Sequence, residues 1–186
     1  MYQKPINSGW IEVICGGMFS GKTEELLRRI RRAKIANLST IILKPHIDTR
    51  YSKNKIVSHN NNSMDSIIIK KTKDLFDIGN KYDVVGIDEA QFFDSHLLEM
   101  CKNLASKNIR VIVAGLDSDY RGWPFGPMPG IMCESDYLDK LTAICIKCGN
   151  PASCTQRITK QLEQVVIGET DIYEARCRNC YEPPKK

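Results

Sequence analysis

The sequence lacks any long hydrophobic run. No apolar stretch approaches the roughly 20 residues that a helix needs to cross a bilayer. The opening MYQKPINSGW also lacks the apolar segment of a secretory signal peptide. We therefore expect a soluble cytoplasmic protein with no membrane partner. Because the cytosol keeps thiols reduced, a disulfide framework does not explain the eight cysteines, which need another role.

Histidines are few, and internal repeats and a strong net charge are missing. The three histidines stand apart without metal-site spacing, and no segment repeats. The 27 basic and 22 acidic residues leave a net charge of +5, which suits anionic ligands such as nucleotides without requiring nucleic acid. We interpret the basic run RRIRRAK, residues 28–34, as the solvated face of a helix, with a nucleic-acid patch as the weaker alternative.

Short apolar runs alternate with helical patterns through most of the chain. Strands are predicted at 10–15, 39–45, 66–70, from 83 and at 109–117, and helices at 22–36, 72–82, 95–108 and 131–140. The polar residues 50–66 and the Pro/Gly-rich residues 118–130 predict mostly loop. This alternation indicates an α/β fold with a mainly parallel sheet flanked by helices. Cysteines then replace the periodicity, so we predict two domains, 1–140 and 141–186.

The segment ICGGMFSGKT, residues 14–23, matches the phosphate-binding pattern G-x-x-x-x-G-K-[ST]. Its glycines let backbone N–H groups point at phosphate oxygens, Lys22 can reach the β- and γ-phosphates, and the Thr23 hydroxyl can ligate Mg²⁺. A plain strand–helix turn is the alternative, but the motif follows a predicted strand and opens a predicted helix. We expect ATP or GTP with Mg²⁺ to contact Gly16, Gly17, Met18, Phe19, Ser20, Gly21, Lys22 and Thr23.

Acidic residues follow the predicted strands at the same sheet edge. Asp88 ends the strand of DVVGIDEAQ and can face the Mg²⁺, while Glu89 can accept a hydroxyl proton or orient a water. The alternative is an acidic strand end that caps the next helix. Asp48 and Arg50 follow the second strand and could also handle phosphate, although the spacing fits a salt-bridged turn equally well.

Four cysteines form two short pairs, Cys145-x-x-Cys148 and Cys177-x-x-Cys180. Two such pairs in a reducing compartment are typical of a zinc site, because four thiolates satisfy the tetrahedral preference of Zn²⁺. A closed four-thiolate site is structural rather than catalytic, and it would hold together a region too small for its own core. Two pairs of free thiols are the alternative.

Several motifs occur together: GGMFSGKT, KPHIDTRY, DEAQFF, GLDSDYRGWPF, TQR and the paired cysteines flanking VVIGETDIYEARCRNC. In this order they closely resemble the cytoplasmic, tetrameric (type II) thymidine kinases, most of all the bacterial branch, from about residue 10 to 181. The resemblance implies a P-loop α/β domain and a small zinc domain carrying a lasso-like loop. It also implies that the ATP γ-phosphate passes to the 5′-hydroxyl of thymidine, giving dTMP in nucleotide salvage, in a homotetramer with dTTP as a candidate feedback inhibitor.

The resemblance also assigns roles to residues. It implies that Glu89 is the base, and that the set handling ATP, phosphate and Mg²⁺ includes Asp48, Arg50, Asp88, Ala90 and Gln91 beside the glycine-rich loop. It implies that main-chain groups of Val166, Ile167 and Gly168 read the base, in a pocket closed by Met18, Phe92, Leu116, Tyr120, Phe125, Thr155 and Tyr173. One departure is Gly17, where relatives often carry Pro or Ser, and this glycine should loosen the loop.

Two other classes of function are compatible with parts of the sequence. DEAQ resembles the Walker B box of helicases, and zinc ribbons often bind nucleic acid, but helicase motors use two ATPase domains and this chain has room for one. A zinc-stapled nucleotide switch without catalysis is the third possibility, and Glu89 beside Asp88 argues against it. We therefore expect an ATP-dependent kinase without a nucleic-acid partner.

Overall fold

The computed structural model describes residues 8–47, 55–57, 63–166, 168 and 170–184. The helices are α1 (Lys22–Ile35), α2 (Asp74–Gly79), α3 (His96–Ser106) and α4 (Met128–Cys133), with a 3-10 turn at Ala90–Phe92. The strands are β1 (Trp10–Gly16), β2 (Thr40–Pro45), β3 (Lys55–Val57), β4 (Ser63–Asp65), β5 (Ile67–Ile69), β6 (Val84–Ile87), β7 (Arg110–Gly115), β8 (Tyr137–Leu141), β9 (Ala143–Ile144), β10 (Pro151–Ala152), β11 (Cys154–Arg157) and β12 (Tyr173–Arg176).

A six-stranded sheet forms the centre of the fold, in the order β5-β2-β6-β7-β1-β8, and all of its pairings are parallel. One face is covered by α1, and the other packs against α2, α3 and α4. The predicted α/β fold with a mainly parallel sheet is therefore confirmed. Because all six strands run the same way, their carboxyl ends meet at one edge, where such sheets bind ligands.

The sequence of α1 explains both its position and its orientation. Leu26, Leu27 and Ile30 are spaced at helical intervals and are fully buried against the sheet. Acidic residues occupy the first turn and basic residues the last, which complements the helix dipole. The basic residues of the run are exposed as predicted except Arg29, which is only 6% exposed.

Arg29 is buried because it pairs with acids on neighbouring strands. Its guanidinium lies 2.7 Å from Glu12 of β1 and 2.5 Å from Asp139 of β8. Glu12 is fully buried and also accepts hydrogen bonds from Arg110 of β7 at 2.6 Å and from the Trp10 indole at 2.7 Å. This network connects α1 with three adjacent strands of the sheet.

Two predicted segments differ from the structure. The helix expected over 131–140 is instead α4, which ends at Cys133, followed by β8, which pairs with β1. YLDKL places two adjacent charged residues between apolar ones on a half-exposed edge strand, so its sequence shows neither the alternation of a half-buried strand nor the apolar run of a buried one. The loop expected over 50–66 contains the short antiparallel pair of β3 and β4, each too brief to leave a periodic signal.

The part of the chain beyond β8 is built from two small antiparallel pairs, β9 with β10 and β11 with β12. We call this part the cysteine unit, residues 143–184, and its segment between β11 and β12, residues 158–172, the lasso loop. Its buried cluster is small and contains Ala143, Cys145, Ala152, Ala175 and Cys177. The predicted domain boundary near 140 coincides with the end of β8 and stays a prediction. Among the described residues, no helix combines the length and the apolar character required to cross a bilayer.

Replacing Glu12 with Gln should lower the free energy of unfolding by about 3–5 kcal/mol, because Arg29 and Arg110 would lose a buried anionic partner. The measurement is denaturant unfolding at neutral pH. Glu134→Gln is the matched control: Glu134 forms an exposed pair with Lys102, and its loss should cost about 1 kcal/mol or less. Equal stability losses in the two variants would contradict the role given to the network.

The same variant should also change how stability depends on pH. Burial raises the pKa of Glu12, but the hydrogen bonds and charge of Arg110, with Trp10 and Arg29, outweigh burial and hold that pKa below its usual value. The ionised group therefore stabilises the fold above the usual carboxyl pKa, and this contribution is lost as the pH falls through the lowered pKa. Glu12→Gln should lack this acid-dependent component.

Candidate active site

Glycine conformations and internal hydrogen bonds fix the shape of the glycine-rich loop between β1 and α1. Gly16 and Gly21 adopt φ angles of 140° and 83°, which favour glycine. A Cβ atom on Gly16 would overlap the carbonyl oxygen of Leu141. The Lys22 ammonium and the Ser20 hydroxyl donate to the Gly17 carbonyl at 2.7 and 2.8 Å. The loop therefore lies at the N-terminus of α1, and its lysine side chain is held next to the loop backbone. Phosphate binding requires such a positive charge beside the N–H groups of a helix N-terminus.

A pair of oxygen ligands lies beside this loop. The Thr23 hydroxyl is 3.3 and 3.5 Å from the two carboxylate oxygens of Asp88, which follows β6. Asp88 is 6% exposed, and its N–H donates to the Leu43 carbonyl of β2 at 2.9 Å. Neighbouring ligands of an octahedral Mg²⁺ lie about 3.0 Å apart. The hydroxyl and the carboxylate therefore fit one edge of a magnesium shell.

Glu89 occupies an unusual backbone conformation next to this pair. Its φ of 52° is left-handed, which is uncommon and costly for a residue other than glycine, and such strain concentrates at functional sites. The Gln91 side-chain amide donates to the Glu89 carboxylate at 2.5 Å and accepts from the Leu116 N–H at 2.9 Å. Gln91 thus fixes Glu89 relative to the end of β7. Ala90, predicted with Gln91 among the ATP contacts, is fully buried in the core.

One cavity of about 370 Å³ connects the glycine-rich loop with the lasso loop. Its volume suits a small organic molecule. Many of the predicted site residues line it: Met18, Phe19, Gly21, Lys22, Thr23, Asp88, Glu89, Phe92, Leu116, Tyr120, Phe125, Thr155, Val166, Gly168 and Tyr173. Gly16, Gly17, Ser20, Ala90 and Gln91 lie outside this lining. Asp48, Arg50 and Ile167 fall outside the described residues.

Two contacts between lining residues shape the cavity. The rings of Phe92 and Phe125 meet edge to face, with centroids 5.7 Å apart. The Met18 N–H donates to the Thr155 hydroxyl at 3.0 Å, so the glycine-rich loop is tied directly to β11 of the cysteine unit. The glycine-rich loop and the cysteine unit therefore both contribute to the wall of the cavity.

The four paired cysteines converge on one point. Their sulfur atoms all lie within 4.8 Å of one another, and those of Cys148 and Cys177 are 3.5 Å apart. In a tetrahedral four-thiolate zinc site with bonds of about 2.3 Å, sulfurs lie about 3.8 Å apart. Backbone hydrogen bonds from Cys177 lower the pKa of Cys145 to about 6, whereas the neighbouring thiols Cys148 and Cys177 raise the pKa of Cys180 to about 12. The cluster could hold a metal ion.

A sequence profile of the family described as thymidine kinase matches residues 9–181. The chain belongs to the thymidine kinase family. The thymidine kinase of Rhodothermus sp. (strain ITI 518) is 51% identical over 177 residues, which cover 95% of this chain and 83% of that protein. Thymidine kinases of Bacteroides fragilis and Bacteroides thetaiotaomicron are each 52% identical, covering 97% and 96% of this chain and 90% of either protein. The resemblance predicted from the motifs is therefore confirmed.

The likeness to solved structures is more distant. The genome packaging NTPase B204 from Sulfolobus turreted icosahedral virus 2, in complex with AMPPCP, aligns with a TM-score of 0.48 and 18% identity. The alignment covers 72% of this chain and 76% of that chain. This similarity does not bear on the choice of substrate within the thymidine kinase family.

Some residues of this thymidine kinase site were missed from the sequence. Asp119 and Gln164 both line the cavity, and the Gln164 amide donates to the Asp119 carboxylate at 3.1 Å. Burial raises the pKa of Asp119, but hydrogen bonds from Arg121 and the Trp123 N–H hold it below its usual value. In the sequence, Asp119 directly precedes the predicted pocket residue Tyr120, and this position was the only indication that it belongs to the site. Arg157 lies behind the wall; it belongs to the TQR motif, two residues after the predicted pocket residue Thr155, but no role was assigned to it from the sequence.

Replacing Gly16 with Ala should weaken ATP binding by at least about tenfold, because a left-handed φ and an overlap with the Leu141 carbonyl would distort the loop. Gly17→Ala is the matched control within the same loop, since its Cβ would stand 3.4 Å from the nearest atoms, at ordinary contact distance. ATP affinity is measured by calorimetric titration with Mg²⁺. Equal affinity in the two variants would contradict this account of the loop.

Proposed function

We propose that this member of the thymidine kinase family transfers the γ-phosphate of ATP to the 5′-hydroxyl of thymidine, with Glu89 as the base that accepts the hydroxyl proton. One observation carries the proposal. Glu89 lines the same cavity as Lys22 of the phosphate loop and Val166 of the lasso loop. One cavity therefore brings together a carboxylate, the lysine proposed to bind phosphate and the loop proposed to enclose a small acceptor, which supports the proposal.

On the phosphate side, the chain supplies positioning and charge. The backbone of the glycine-rich loop and the Lys22 ammonium would bind the phosphates and offset the charge that builds up during transfer. Thr23 and Asp88 would hold Mg²⁺, whose bound charge neutralises phosphate oxygens. We keep Asp48 and Arg50 as further phosphate contacts, because their motif follows β2 in the sequence.

On the acceptor side, Glu89 needs a fixed orientation. The 2.5 Å hydrogen bond from Gln91 orients its carboxylate, which would accept the proton of the attacking hydroxyl. Main-chain groups at residues 166–168 would read the edge of the base, and the Phe92 and Phe125 rings would pack on it. Enclosure by these groups would exclude water, so that ATP is not hydrolysed.

The function is tested by phosphate transfer from γ-labelled ATP with Mg²⁺ to thymidine, deoxycytidine and single-stranded DNA, each offered separately. Label should appear on thymidine alone. Release of free phosphate that DNA accelerates would instead support a nucleic-acid remodeller, and its DNA binding would weaken steeply with salt. Absence of both transfer and hydrolysis would support a nucleotide switch and contradict the proposal.

Replacing Glu89 with Gln should lower kcat for thymidine by about 10²–10⁴-fold, because the amide cannot accept the hydroxyl proton. ATP affinity should stay within about threefold of the parent protein, since the phosphate loop is unchanged. Glu99→Gln makes the same chemical change on the exposed face of α3 and serves as control. Turnover near the parent value in Glu89→Gln would remove Glu89 from the role of base.

We further propose that the cysteine cluster holds one structural Zn²⁺. Replacing Cys177 with Ser should lower the metal content from about one Zn²⁺ per chain to near zero and destabilise the cysteine unit, whose apolar cluster is small. Metal is measured by atomic emission and stability by thermal unfolding. Cys133→Ser, at an exposed cysteine on α4, is the control. Full zinc content in Cys177→Ser would contradict the four-thiolate assignment.

The quaternary and regulatory properties implied by the resemblance stay proposals. We infer a homotetramer, with dTTP as feedback inhibitor and without nucleic acid as partner. The chain carries a net charge of only +5, which gives little general attraction to polyanions. Light scattering of the purified protein and inhibition by dTTP in the transfer assay address the first two points.

A further inference from the structure

Arg157 is a buried cation that the proposed chemistry does not use. It is the last residue of β11, is only 6% exposed, and stands behind the cavity wall rather than in its lining. A buried charge costs several kcal/mol unless hydrogen bonds compensate for lost water. The partners of this guanidinium therefore indicate what it stabilises.

Three of those partners are main-chain oxygens of the lasso loop. Nη1 donates to the carbonyls of Gln161 and Glu163 at 3.0 and 2.5 Å, and Nη2 donates to the carbonyl of Gln164 at 3.2 Å. Residues 158–166 form neither helix nor strand, so this stretch has no regular backbone ladder of its own. The guanidinium thus supplies hydrogen-bond donors to the loop backbone that regular secondary structure would otherwise supply.

The same side chain also orients two tyrosines that line the cavity. Nη2 donates to the Tyr173 hydroxyl at 2.7 Å, and that hydroxyl donates to the Val166 carbonyl at 2.9 Å. The guanidinium carbon lies 3.6 Å from the ring centroid of Tyr120, whose hydroxyl donates to the Leu162 carbonyl at 2.9 Å. Both aromatic walls and the loop between them are therefore connected through one group.

We propose that Arg157 is a positioning residue that sets the affinity for the nucleoside acceptor by holding residues 161–166 of the lasso loop and both tyrosines in the arrangement described above. This inference rests on the proposed function, because the enclosed acceptor is taken to be thymidine. A planar guanidinium suits this role because it donates in several fixed directions while its face stacks on a ring. A lysine ammonium offers neither the fork nor the flat face.

A positioning role differs from a general contribution to folding. The glycine-rich loop, Thr23 and Asp88 make none of the contacts described for Arg157, so ATP should still bind when Arg157 is replaced. The contacts of Arg157 all lie on the acceptor side. Loss of the guanidinium should therefore raise KM for thymidine much more than KM for ATP.

The test compares Arg157→Met, Arg157→Lys and the control Lys160→Met, an exposed cation within the same loop, in the full chain. Arg157→Met should raise KM for thymidine at least about tenfold, since each 1.4 kcal/mol of lost binding free energy corresponds to a factor of ten in affinity. KM for ATP should stay within about twofold, and Lys160→Met should leave both constants unchanged. Arg157→Lys should show a smaller rise in the thymidine constant.

A second readout does not depend on catalysis. Hydrogen exchange of the Ile158 amide, which donates to the Ile172 carbonyl at 2.9 Å at the base of the lasso loop, should accelerate at least about tenfold in Arg157→Met, while amides of α1 keep their protection. An unchanged KM for thymidine in Arg157→Met, or an equal rise in both KM values, would overturn the proposal. If Arg157→Met does not fold, Arg157→Lys decides: parent-like KM for thymidine and parent-like exchange would overturn it.

The two proposals fail in different ways. If the parent protein does not phosphorylate thymidine, the proposed function fails, and the exchange experiment still reports whether Arg157 orders the loop. If the parent phosphorylates thymidine and Arg157→Met keeps the parent KM values, only the inference about Arg157 fails.

Discussion

Parallel pairing of β6, β7 and β1 is the constraint on which the rest of this protein depends. Because the three strands are adjacent and run the same way, their carboxyl ends meet at one edge. The glycine-rich loop, Asp88 with Glu89, and the loop that begins at Leu116 each emerge from one of these ends. Groups far apart in the chain thereby come within hydrogen-bonding distance, as the contact of Thr23 with Asp88 demonstrates.

The acceptor side is organised by a different kind of interaction. None of the described residues of the lasso loop is buried, and its Leu162 is 74% exposed. Described hydrogen bonds join it to Arg157, Tyr120 and Asp119. Segments held in this way open at lower free energy than a packed core does. An enclosing loop must admit substrate and release product, and polar anchoring behind the wall is compatible with both needs.

At the centre of the site, a strained backbone conformation is accompanied by hydrogen bonds that hold the side chain in place. Glu89 accepts a left-handed backbone conformation, and Gln91 fastens its carboxylate to the backbone of Leu116. The buried sheet supplies the rigidity that maintains this arrangement. The cysteine unit extends the rigid frame, since Thr155 of β11 binds the Met18 N–H of the phosphate loop.

The sequence by itself determined the parallel α/β fold, the phosphate loop, the acidic pair after β6, the cysteine quartet and the family. These features rest on local spacing and hydrophobic periodicity, which a linear pattern records. Tertiary structure alone decided that Tyr137–Leu141 is an edge strand, that Arg29 is buried among acids, and that Arg157 holds the lasso loop. The partner of the edge strand and the strand acids that pair with Arg29 lie on neighbouring elements that are distant in the sequence. The hydrogen bonds of Arg157 to the loop go to backbone carbonyls. A carbonyl oxygen is present at every position, so no pattern of side chains can reveal where an arginine will find three of them together.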